Sequence, residues 1–449
     1  MNEYFNKTVS AAPLAILRVV LGTLLLVGII RFWMKGWIEE LYIKPMYFFS
    51  FYGFEFVKPL GNYTYIIFLI CAIACLLVML GLFYRVAITT LFLSFTYIEL
   101  MDKSTYLNHY YFISMVCLLM IFLPSHATFS LDAKRDKTLA SKEVPRWSID
   151  VIKLFVCMVY VFAGLAKINS DWLLHAQPLR IWLPAKNDLP VIGFLFNKVW
   201  VAFAFCWIGC LYDLCVPFLL LNRKTRLVGF SAVVIFHTFT AILFPIGMFP
   251  YIMIGISLIF FSSEFHEQLI GKLKSLFERD RSFESSEKIY VYPQAAKPFL
   301  MGFFAIFFFI QVILPMRYLL YPDELFWTEE GYRFSWRVML MEKAGYTEFV
   351  VKDEEGNKIN VNNKEFLIPL QEKMMATQPD MILQYAHMLR DHYLQHGIKE
   401  PQVYVDSYVA LNGRLGKLLI DPTVNLSKET ESFRHKNWIL PSPHEISGL

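Results

Sequence analysis

Six ionisable side chains interrupt the apolar stretches of the sequence: Arg18, Glu99, Lys153, Lys167, Asp213 and His237. An ionisable group inside a lipid bilayer costs at least about 2.5 kcal/mol on insertion scales, so each of them needs a partner or a function. We expect Arg18 and Asp213 to form a structural ion pair between two helices. Lys153 can extend its amine to the membrane surface, and a single histidine on an apolar face, such as His237, is more often a core residue than a catalyst.

Lys167 has two interpretations. It can be an interfacial lysine that extends its amine to the membrane surface, because the polar residues Asn169 and Asp171 follow it closely. It can also lie in an apolar pocket, where burial favours the neutral amine and makes it a usable base. The residue types alone leave both interpretations open.

Long apolar stretches must position these side chains, because the 449 residues are 56% hydrophobic and only 18% charged. This composition excludes a disordered or fibrous protein, and the net charge of +4 does not predict a nucleic-acid partner. A helix that spans the bilayer needs about 20 apolar residues. The candidate spans are 12–34, 63–83, 86–101, 109–124, 148–167, 199–221, 227–244, 246–261 and 298–319. The sequence therefore predicts an α-helical polytopic membrane bundle of eight or nine helices.

The charged loops predict the orientation of this bundle. Lys and Arg are concentrated in the loops on the side of the N-terminus, including 134–137, 223–226 and a 35-residue linker that ends at Lys297. Because positive loops stay in the cytoplasm, we expect everything after about Arg317 outside the cytoplasm. One extracytoplasmic pocket at lipid depth would then contain three elements: His109, the turn at Gly247, and the end of the helix that carries Lys167.

The composition changes after the last apolar stretch, which predicts a transmembrane catalytic domain at 1–319 and a separate domain at 320–449. In the second domain, the alternating segments 349–352 and 358–361 flank a turn at 353–357, which is typical of a β-hairpin. A further strand is predicted at 403–405 and an amphipathic helix at 379–396. We expect a small, mainly β, extracytoplasmic domain.

The seven cysteines all lie in apolar stretches and none lies in the tail, so no disulfide framework is expected. Two pairs have one-turn spacing, Cys71 with Cys75 and Cys206 with Cys210, and neither has a nearby histidine. We therefore assign the thiols to packing and expect no metal site.

Several short motifs follow one another in a fixed order: LMDKS at 100–104, NHY at 108–110, FAGLAKINSDW at 162–172, LYDL at 211–214, FH at 236–237, LFPIGMF at 243–249, GYRFSW at 331–336 and EPQVY at 400–404. In order and spacing they resemble the vitamin K-dependent gamma-glutamyl carboxylase family, which shares the HTTM membrane domain. The resemblance covers nearly the whole chain, and it favours the catalytic interpretation of Lys167.

The resemblance implies a carbon–carbon lyase that uses reduced vitamin K (the hydroquinone), O2 and CO2, and no metal. Such an enzyme converts protein-bound Glu to gamma-carboxyglutamate while the quinol becomes its epoxide. The gamma C–H of Glu is more than about ten pK units less acidic than a lysine ammonium, so direct transfer to Lys167 would cost over about 14 kcal/mol. Lys167 would instead deprotonate the quinol, and reaction with O2 would supply the stronger base.

The resemblance also assigns residues. Lys167 would be the catalytic base, and His109 would assist the quinol chemistry. The residues expected to bind the quinol are Asn108, Asn169, Asp171, Trp172, His237, Gly247, Met248 and Phe249. Arg18, Asp102 and Asp213 would be structural polar residues. The expected partners are the lipid bilayer and a Glu-containing protein or peptide.

Two departures from the animal carboxylases keep alternatives open. The animal enzymes continue into a further large C-terminal region, and residues 360–373 match the glutamate-binding stretch of the family only weakly. The chain therefore resembles a short bacterial homologue in a cytoplasmic membrane. Of the two activities of the family, the resemblance supports epoxidation of the quinol more strongly than carboxylation of Glu. The alternatives are a quinol epoxidase or quinone-modifying enzyme without Glu carboxylation, and a non-catalytic lipid-quinone-binding or transport protein, although no duplicated halves support transport.

Overall fold

The computed structural model of the protein describes residues 7–277 and 288–448. The first part is helical: α1 (Ala12–Met34), α2 (Trp37–Tyr42), α3 (Thr64–Leu80), α4 (Tyr84–Leu100), α5 (Asn108–Phe122), α6 (Leu131–Arg135), α7 (Trp147–Leu165), α8 (Ser170–His175), α9 (Leu179–Trp182), α10 (Val199–Leu221), α11 (Arg226–Leu243), α12 (Phe249–Ser257), α13 (Ser263–Phe277) and α14 (Ala296–Met316). A helix lies at each of the nine predicted spans.

The helices differ in their capacity to cross a bilayer. Six helical segments among the described residues are long and apolar enough: 12–34, 61–80, 147–165, 199–221, 226–243 and 296–320. A further candidate, Phe249–Phe260 with Ser263–Ser275, bends by 118°. The chain is thus a polytopic helical membrane protein, and the total of eight or nine crossings stays a prediction, because α4 has only 17 residues and α5 only 15.

The prediction of a 35-residue linker that ends at Lys297 is partly wrong. Its first half forms α13, and residues 278–287 lie outside the described part of the chain. Ile270, with Leu269 and Leu273 beside it, packs against Ala12 and Ile16 of α1. The linker therefore begins as an amphipathic helix on the bundle, because its apolar residues recur at helical spacing. A small antiparallel sheet of β1 (Thr8–Ser10) and β2 (Glu143–Pro145), which the sequence analysis did not predict, lies at the same end of α1.

The tail contains one antiparallel sheet and several helices. Its elements are α15 (Leu325–Thr328), β3 (Lys343–Lys352), β4 (Lys358–Asn360), α16 (Pro369–Met375), α17 (Pro379–Gln395), β5 (Gln402–Leu411) and β6 (Lys417–Leu418), with the strand order β4-β3-β5-β6. The predicted hairpin is confirmed, since Val350 pairs with Asn360 and Lys352 with Lys358. The strand at 403–405 and the helix at 379–396 are also confirmed, although the tail is mixed α and β rather than mainly β.

The tail packs directly on the helical bundle. One continuous hydrophobic cluster joins Trp172, Leu179 and Cys206 of the bundle to Trp327 and Ile382 of the tail. Alternating burial along β5, with Val403, Val405 and Val409 all inward, supplies the sheet's share of this core. The segment after α7, which carries Lys167, therefore lies where bundle and tail meet.

Candidate functional site

Lys167 is the centre of the candidate site, and its partner is Asp213. The Lys167 Nζ donates to Asp213 Oδ2 at 2.7 Å and to the carbonyl oxygen of Ala163 at 3.1 Å. The two charged side chains are only 8% and 7% exposed. Lys167 is thus not a lysine that extends to the membrane surface, and the interfacial interpretation is wrong.

The expected ion pair between Arg18 and Asp213 is also wrong. Arg18 is fully buried, and its guanidinium donates to the main-chain oxygens of Val78 at 2.8 Å, Met79 at 2.6 Å and Ser125 at 3.0 Å. Main-chain carbonyl groups near helix ends lack a partner within their own helix, and they accept the hydrogen bonds of this guanidinium. Arg18 therefore needs no carboxylate partner. The structural role of Arg18 stays a prediction, and Asp213 pairs with Lys167 instead.

A glycine allows α7 and α10 to approach closely at this pair. A Cβ built on Gly164 would lie 2.7 Å from Leu214 Cδ2 and 3.0 Å from the Leu214 main-chain nitrogen. Any larger residue would force the helices apart at the turn that precedes Lys167. The small residue at 164 therefore brings Lys167 within hydrogen-bond distance of Asp213.

The pair opens into an apolar cavity of about 440 Å³ between α7, α10, α11 and α12. This volume lies within the range of about 300–1,000 Å³ that is usual for small-molecule sites. Val338 and Met339 of the tail line part of it, and the polar and aromatic side chains on its wall are Tyr160, Lys167, Trp172, Trp182, Phe205, Tyr212, Asp213, Phe236, His237, Phe239, Thr240, Phe244 and Phe249. The arrangement suits a largely apolar ligand that carries a few polar atoms.

His237 is fixed in the cavity by two tyrosines that the sequence analysis did not single out. The Tyr160 hydroxyl lies 3.1 Å from His237 Nε2, and the Tyr212 hydroxyl donates to Tyr160 at 3.5 Å. His237 Nδ1 is buried and has no hydrogen-bond partner within the described residues. Tyr160 stands seven residues before Lys167, which corresponds to two helical turns. This spacing places both side chains on one face of the helix, and it could have predicted Tyr160 as a residue of the site.

Trp172 and Phe249 lie on the cavity wall, and their ligand-binding role stays a prediction. Lys167 Nζ stands 5.5 Å from the centroid of the Trp172 ring, and the indole N–H donates to the Cys206 carbonyl oxygen at 2.7 Å. Phe249 forms an edge contact with His237 at 5.7 Å. Both aromatic rings are therefore held against the polar groups of the site.

His109 lies one layer behind the wall. Its ring stacks on Phe249 with centroids 5.4 Å apart, so Phe249 stands between His109 and His237. The structure thus brings His109 close to the site without placing it among the residues that line the cavity.

The other predicted ligand-binding residues support the site from outside the cavity. Asn108 donates to the Arg337 carbonyl oxygen at 2.9 Å. Gly247 has a φ of +64°, which suits the turn that it forms, and Met248 packs in the bundle core against α1. Asn169 accepts from the Trp172 N–H at 2.9 Å and so begins α8. These residues shape the backbone around the cavity.

Asp171 ties the Lys167 segment to the tail, rather than lining the cavity. Its carboxylate is fully buried, accepts from Asn412 Nδ2 at 2.6 Å and pairs with both terminal nitrogens of Arg414. Beside it, the Ser170 N–H donates to the Ser447 carbonyl oxygen at 2.7 Å. The position of the segment after Lys167 therefore depends on the tail.

A second polar contact between bundle and tail involves Asp102 and Lys103. Asp102 accepts from Gln371 Nε2 at 2.7 Å and from the Ser104 N–H at 2.9 Å, and burial, opposed by these hydrogen bonds, raises the pKa of its carboxyl to about 6. Lys103 pairs with Asp380 at 2.7 Å. Asp102 and Lys103 therefore hold the bundle to the tail, and the structural role of Asp102 stays a prediction.

Metal ligands are not clustered in the described ranges 7–277 and 288–448, where no group of three His, Cys, Asp or Glu side chains could hold an ion. The seven cysteines are free, and Cys71, Cys75, Cys206 and Cys210 are buried in apolar surroundings.

The fold and the cavity define a helical membrane protein with a buried lysine–aspartate pair, and comparison with protein families finds a known domain in each of the two parts of the chain. Residues 6–265 match the HTTM domain, which is more than half of the chain. Residues 296–445 match the lumenal domain of vitamin K-dependent gamma-carboxylase. The chain therefore belongs to the vitamin K-dependent gamma-carboxylase family. No solved structure matches the chain.

Proposed function

We propose that the protein epoxidises reduced vitamin K in the cavity beside Lys167 and couples this reaction to carboxylation of protein-bound Glu. The observation that carries the proposal is the Lys167–Asp213 pair, which opens into an apolar cavity in a chain of the carboxylase family. Reduced vitamin K, when bound, supplies with O2 the strong base that removes the gamma proton of Glu, and it leaves as the epoxide.

The cavity fits a ring that carries two hydroxyl groups and a lipid side chain. Lys167 and Asp213 stand on one part of its wall, and His237 offers a buried Nδ1 without a partner among the described residues. Ile208 on α10 and Ile235 on α11 also line the cavity and are 63% and 68% exposed on the bundle surface. Because both residues contact the cavity and the bundle surface, we expect an isoprenoid chain to leave the cavity between α10 and α11 and to extend into the bilayer.

Lys167 accepts a proton from the bound hydroxyl in this proposal. A neutral amine has two N–H bonds and one lone pair, and Ala163 and Asp213 accept the two N–H bonds. The lone pair is then free for the ligand. Asp213 stabilises the ammonium that forms, because an opposite charge at 2.7 Å in apolar surroundings is poorly screened.

His237 orients the ligand. When Tyr160 donates to His237 Nε2, the ring proton resides on Nδ1, which becomes a hydrogen-bond donor to a ligand oxygen. Tyr212 completes the chain by donating to Tyr160. The apolar walls exclude water, so a strong base that forms in the cavity meets few competing proton donors.

Carboxylation requires in addition a Glu side chain delivered to the cavity from the tail side. Val338 and Met339 of the tail line the cavity, so a peptide bound there would reach the reacting atoms by the shortest path. Epoxidation requires the cavity alone, and we therefore expect it to be the more robust activity, with carboxylation more sensitive to changes in residues 360–373.

One assay tests both activities. Purified protein is incubated with reduced vitamin K, O2, labelled CO2 and a Glu-containing peptide, and epoxide and fixed label are measured separately. We expect epoxide from the unaltered chain, none from Lys167→Met, and full activity from Lys198→Met, an exposed lysine at the start of α10. Epoxide formation by Lys167→Met at the normal rate would exclude Lys167 as the base. Epoxide without fixed label would favour a quinol epoxidase.

The tail is proposed to lie outside the cytoplasm. The excess of Lys and Arg in the loops on the N-terminal side supports this orientation. A reporter that is active only in the cytoplasm should give no signal when it is fused after Leu449, whereas the same reporter inserted at Lys137 should give a strong one. The reverse pattern would contradict the orientation.

A further inference from the structure

A second large cavity lies at the opposite end of α7 from Lys167. It has a volume of about 1,110 Å³ and lies between the first turns of α7 and α14. Lys167 and the tail are at the C-terminal end of α7, and 19 residues of helix correspond to about 28 Å. The second cavity is therefore separate from the proposed quinol site and belongs to the other bilayer surface.

The mouth of this cavity is positively charged. Arg146, Lys153 and Lys297 line it together with one carboxylate, Asp150. Asp150 lies 3.2 Å from Arg146 Nε and 3.9 Å from Lys153 Nζ, so it offsets one of the three cations. The lining keeps a net charge of +2, from these three cations and one anion.

The deeper wall is apolar and faces the lipid phase. Leu154 of α7 and Met301 of α14 line it and are 50% and 57% exposed. Trp147 packs on Phe304 with ring centroids 5.6 Å apart, and this pair closes the cavity towards the bundle core. The result is a groove that is cationic at the membrane surface and apolar towards the bilayer centre.

We propose that this groove binds an anionic phospholipid, with the phosphate at Lys153, Lys297 and Arg146 and an acyl chain along Leu154 and Met301. The distribution of charge and apolar surface matches both ends of such a lipid. A free phosphate would use the cations and leave the apolar wall uncovered. A zwitterionic lipid would leave the net positive charge uncompensated.

Lipid retention by the purified full-length chain tests the assignment. The protein in detergent is titrated with phosphatidylglycerol or phosphatidylcholine of equal chain length, and bound lipid is counted by native mass spectrometry. We expect phosphatidylglycerol to bind in preference. The double variant Lys153→Gln/Lys297→Gln should weaken its binding roughly 30-fold, since each basic residue near the surface contributes about 1 kcal/mol. Leu154→Trp, which fills the apolar wall and keeps the charges, should also reduce binding.

The control removes the same charge at the same end of the bundle, outside the groove. Arg223→Gln/Lys224→Gln lies in the exposed turn after α10 and should leave lipid binding unchanged. An equal loss in this control, or equal binding of both lipids, would overturn the proposal. Displacement of the lipid by millimolar inorganic phosphate or glycerol 3-phosphate would show an anion site without lipid specificity and would also overturn it.

Discussion

Two lysine–aspartate pairs in this protein have the same N–O distance of 2.7 Å and different surroundings. Asp213 pairs with Lys167 alone among the described residues, in an apolar cavity of about 440 Å³. Asp380 is shared by Lys103 and Arg333, in a smaller cleft of about 240 Å³ lined by Glu329, Glu431 and other charged groups. The pairs differ in how many partners surround them, not in their own geometry.

The difference separates a reactive pair from a structural one. Burial alone would raise the pKa of Asp380, but the charges and hydrogen bonds of Arg333 and Lys103 hold it well below its usual range. Asp380 is thus a fixed anion that holds α17 of the tail to the bundle. Lys167 has one charged partner in the described part of the chain, and its side chain lines the cavity, so its proton can exchange with a ligand.

The largest expected effect is loss of activity in Asp213→Asn. The amide keeps the shape of the side chain and removes the charge that stabilises the Lys167 ammonium. We expect epoxidation by the folded variant to fall by about 100- to 1,000-fold, as for the loss of a charge-stabilising group in an enzyme, and thermal unfolding measures the folded fraction to which the rate refers. Asp188→Asn, in the loop before α10, is the control and should keep full activity. Epoxidation by folded Asp213→Asn at the normal rate would contradict a role of Asp213 in stabilising the Lys167 ammonium.

A smaller effect, on stability, is expected for Asp380→Asn. The variant leaves Lys103 and Arg333 without the counter-charge of Asp380. We expect the free energy of unfolding to fall by about 2–3 kcal/mol, which is less than for a fully buried pair because the Asp380 side chain is 20% exposed. Thermal unfolding in detergent measures it. Asp391→Asn on the same helix removes an exposed pair and should change stability by less than about 1 kcal/mol. A large loss of specific activity in folded Asp380→Asn would contradict the separation of roles.

Arg414→Gln tests whether the tail positions Lys167. The variant removes two charge-assisted hydrogen bonds to Asp171, while Asn412 still holds one carboxylate oxygen. A shift of the Lys167 segment by a few tenths of an ångström should lower kcat for epoxidation about tenfold, since about 1 Å costs about 100-fold. KM for the quinol should change little. Lys417→Gln, an exposed lysine beyond the same turn, is the control, and equal kcat values for the two variants would exclude a positioning role.

The last expected effect is a pH dependence of stability that comes from Asp102. Burial raises the pKa of its carboxyl from the ordinary 3.8 to about 6, so the folded protein binds the proton more tightly. Stability from this group is complete below about pH 4 and is lost as the pH rises to about 6, with a slope of up to about 1.36 kcal/mol per pH unit. Asp102→Asn should lack this slope, so the difference in unfolding free energy between the unaltered protein and the variant should change between pH 4 and 6. A difference that does not vary between pH 4 and 6 would contradict it.

Much of the fold follows from local pattern. The apolar stretches predicted helices at all nine positions, and the polar turn at 353–357 between two alternating segments predicted the hairpin. The helix α13 in the first half of the linker was not predicted, because it is amphipathic and too polar to resemble a membrane span. The mixed character of the tail was missed because α16 has only seven residues and no distinctive periodicity. The domain boundary at 319 and 320 stays a prediction.

The sequence by itself determined that Lys167, Trp172, His237 and Phe249 belong to one region, because their motifs flank the same end of successive helices. Only the tertiary structure decided their partners. Lys167 and Asp213 are 46 residues apart, and whether they meet depends on how α7 and α10 rotate and how closely they approach at Gly164. A helical pattern fixes which face a residue occupies, but the neighbouring face is set by packing. For that reason only the structure shows that Arg18 donates to main-chain carbonyl oxygens, that Asp171 pairs with Arg414 of the tail, and that Asp213 pairs with Lys167.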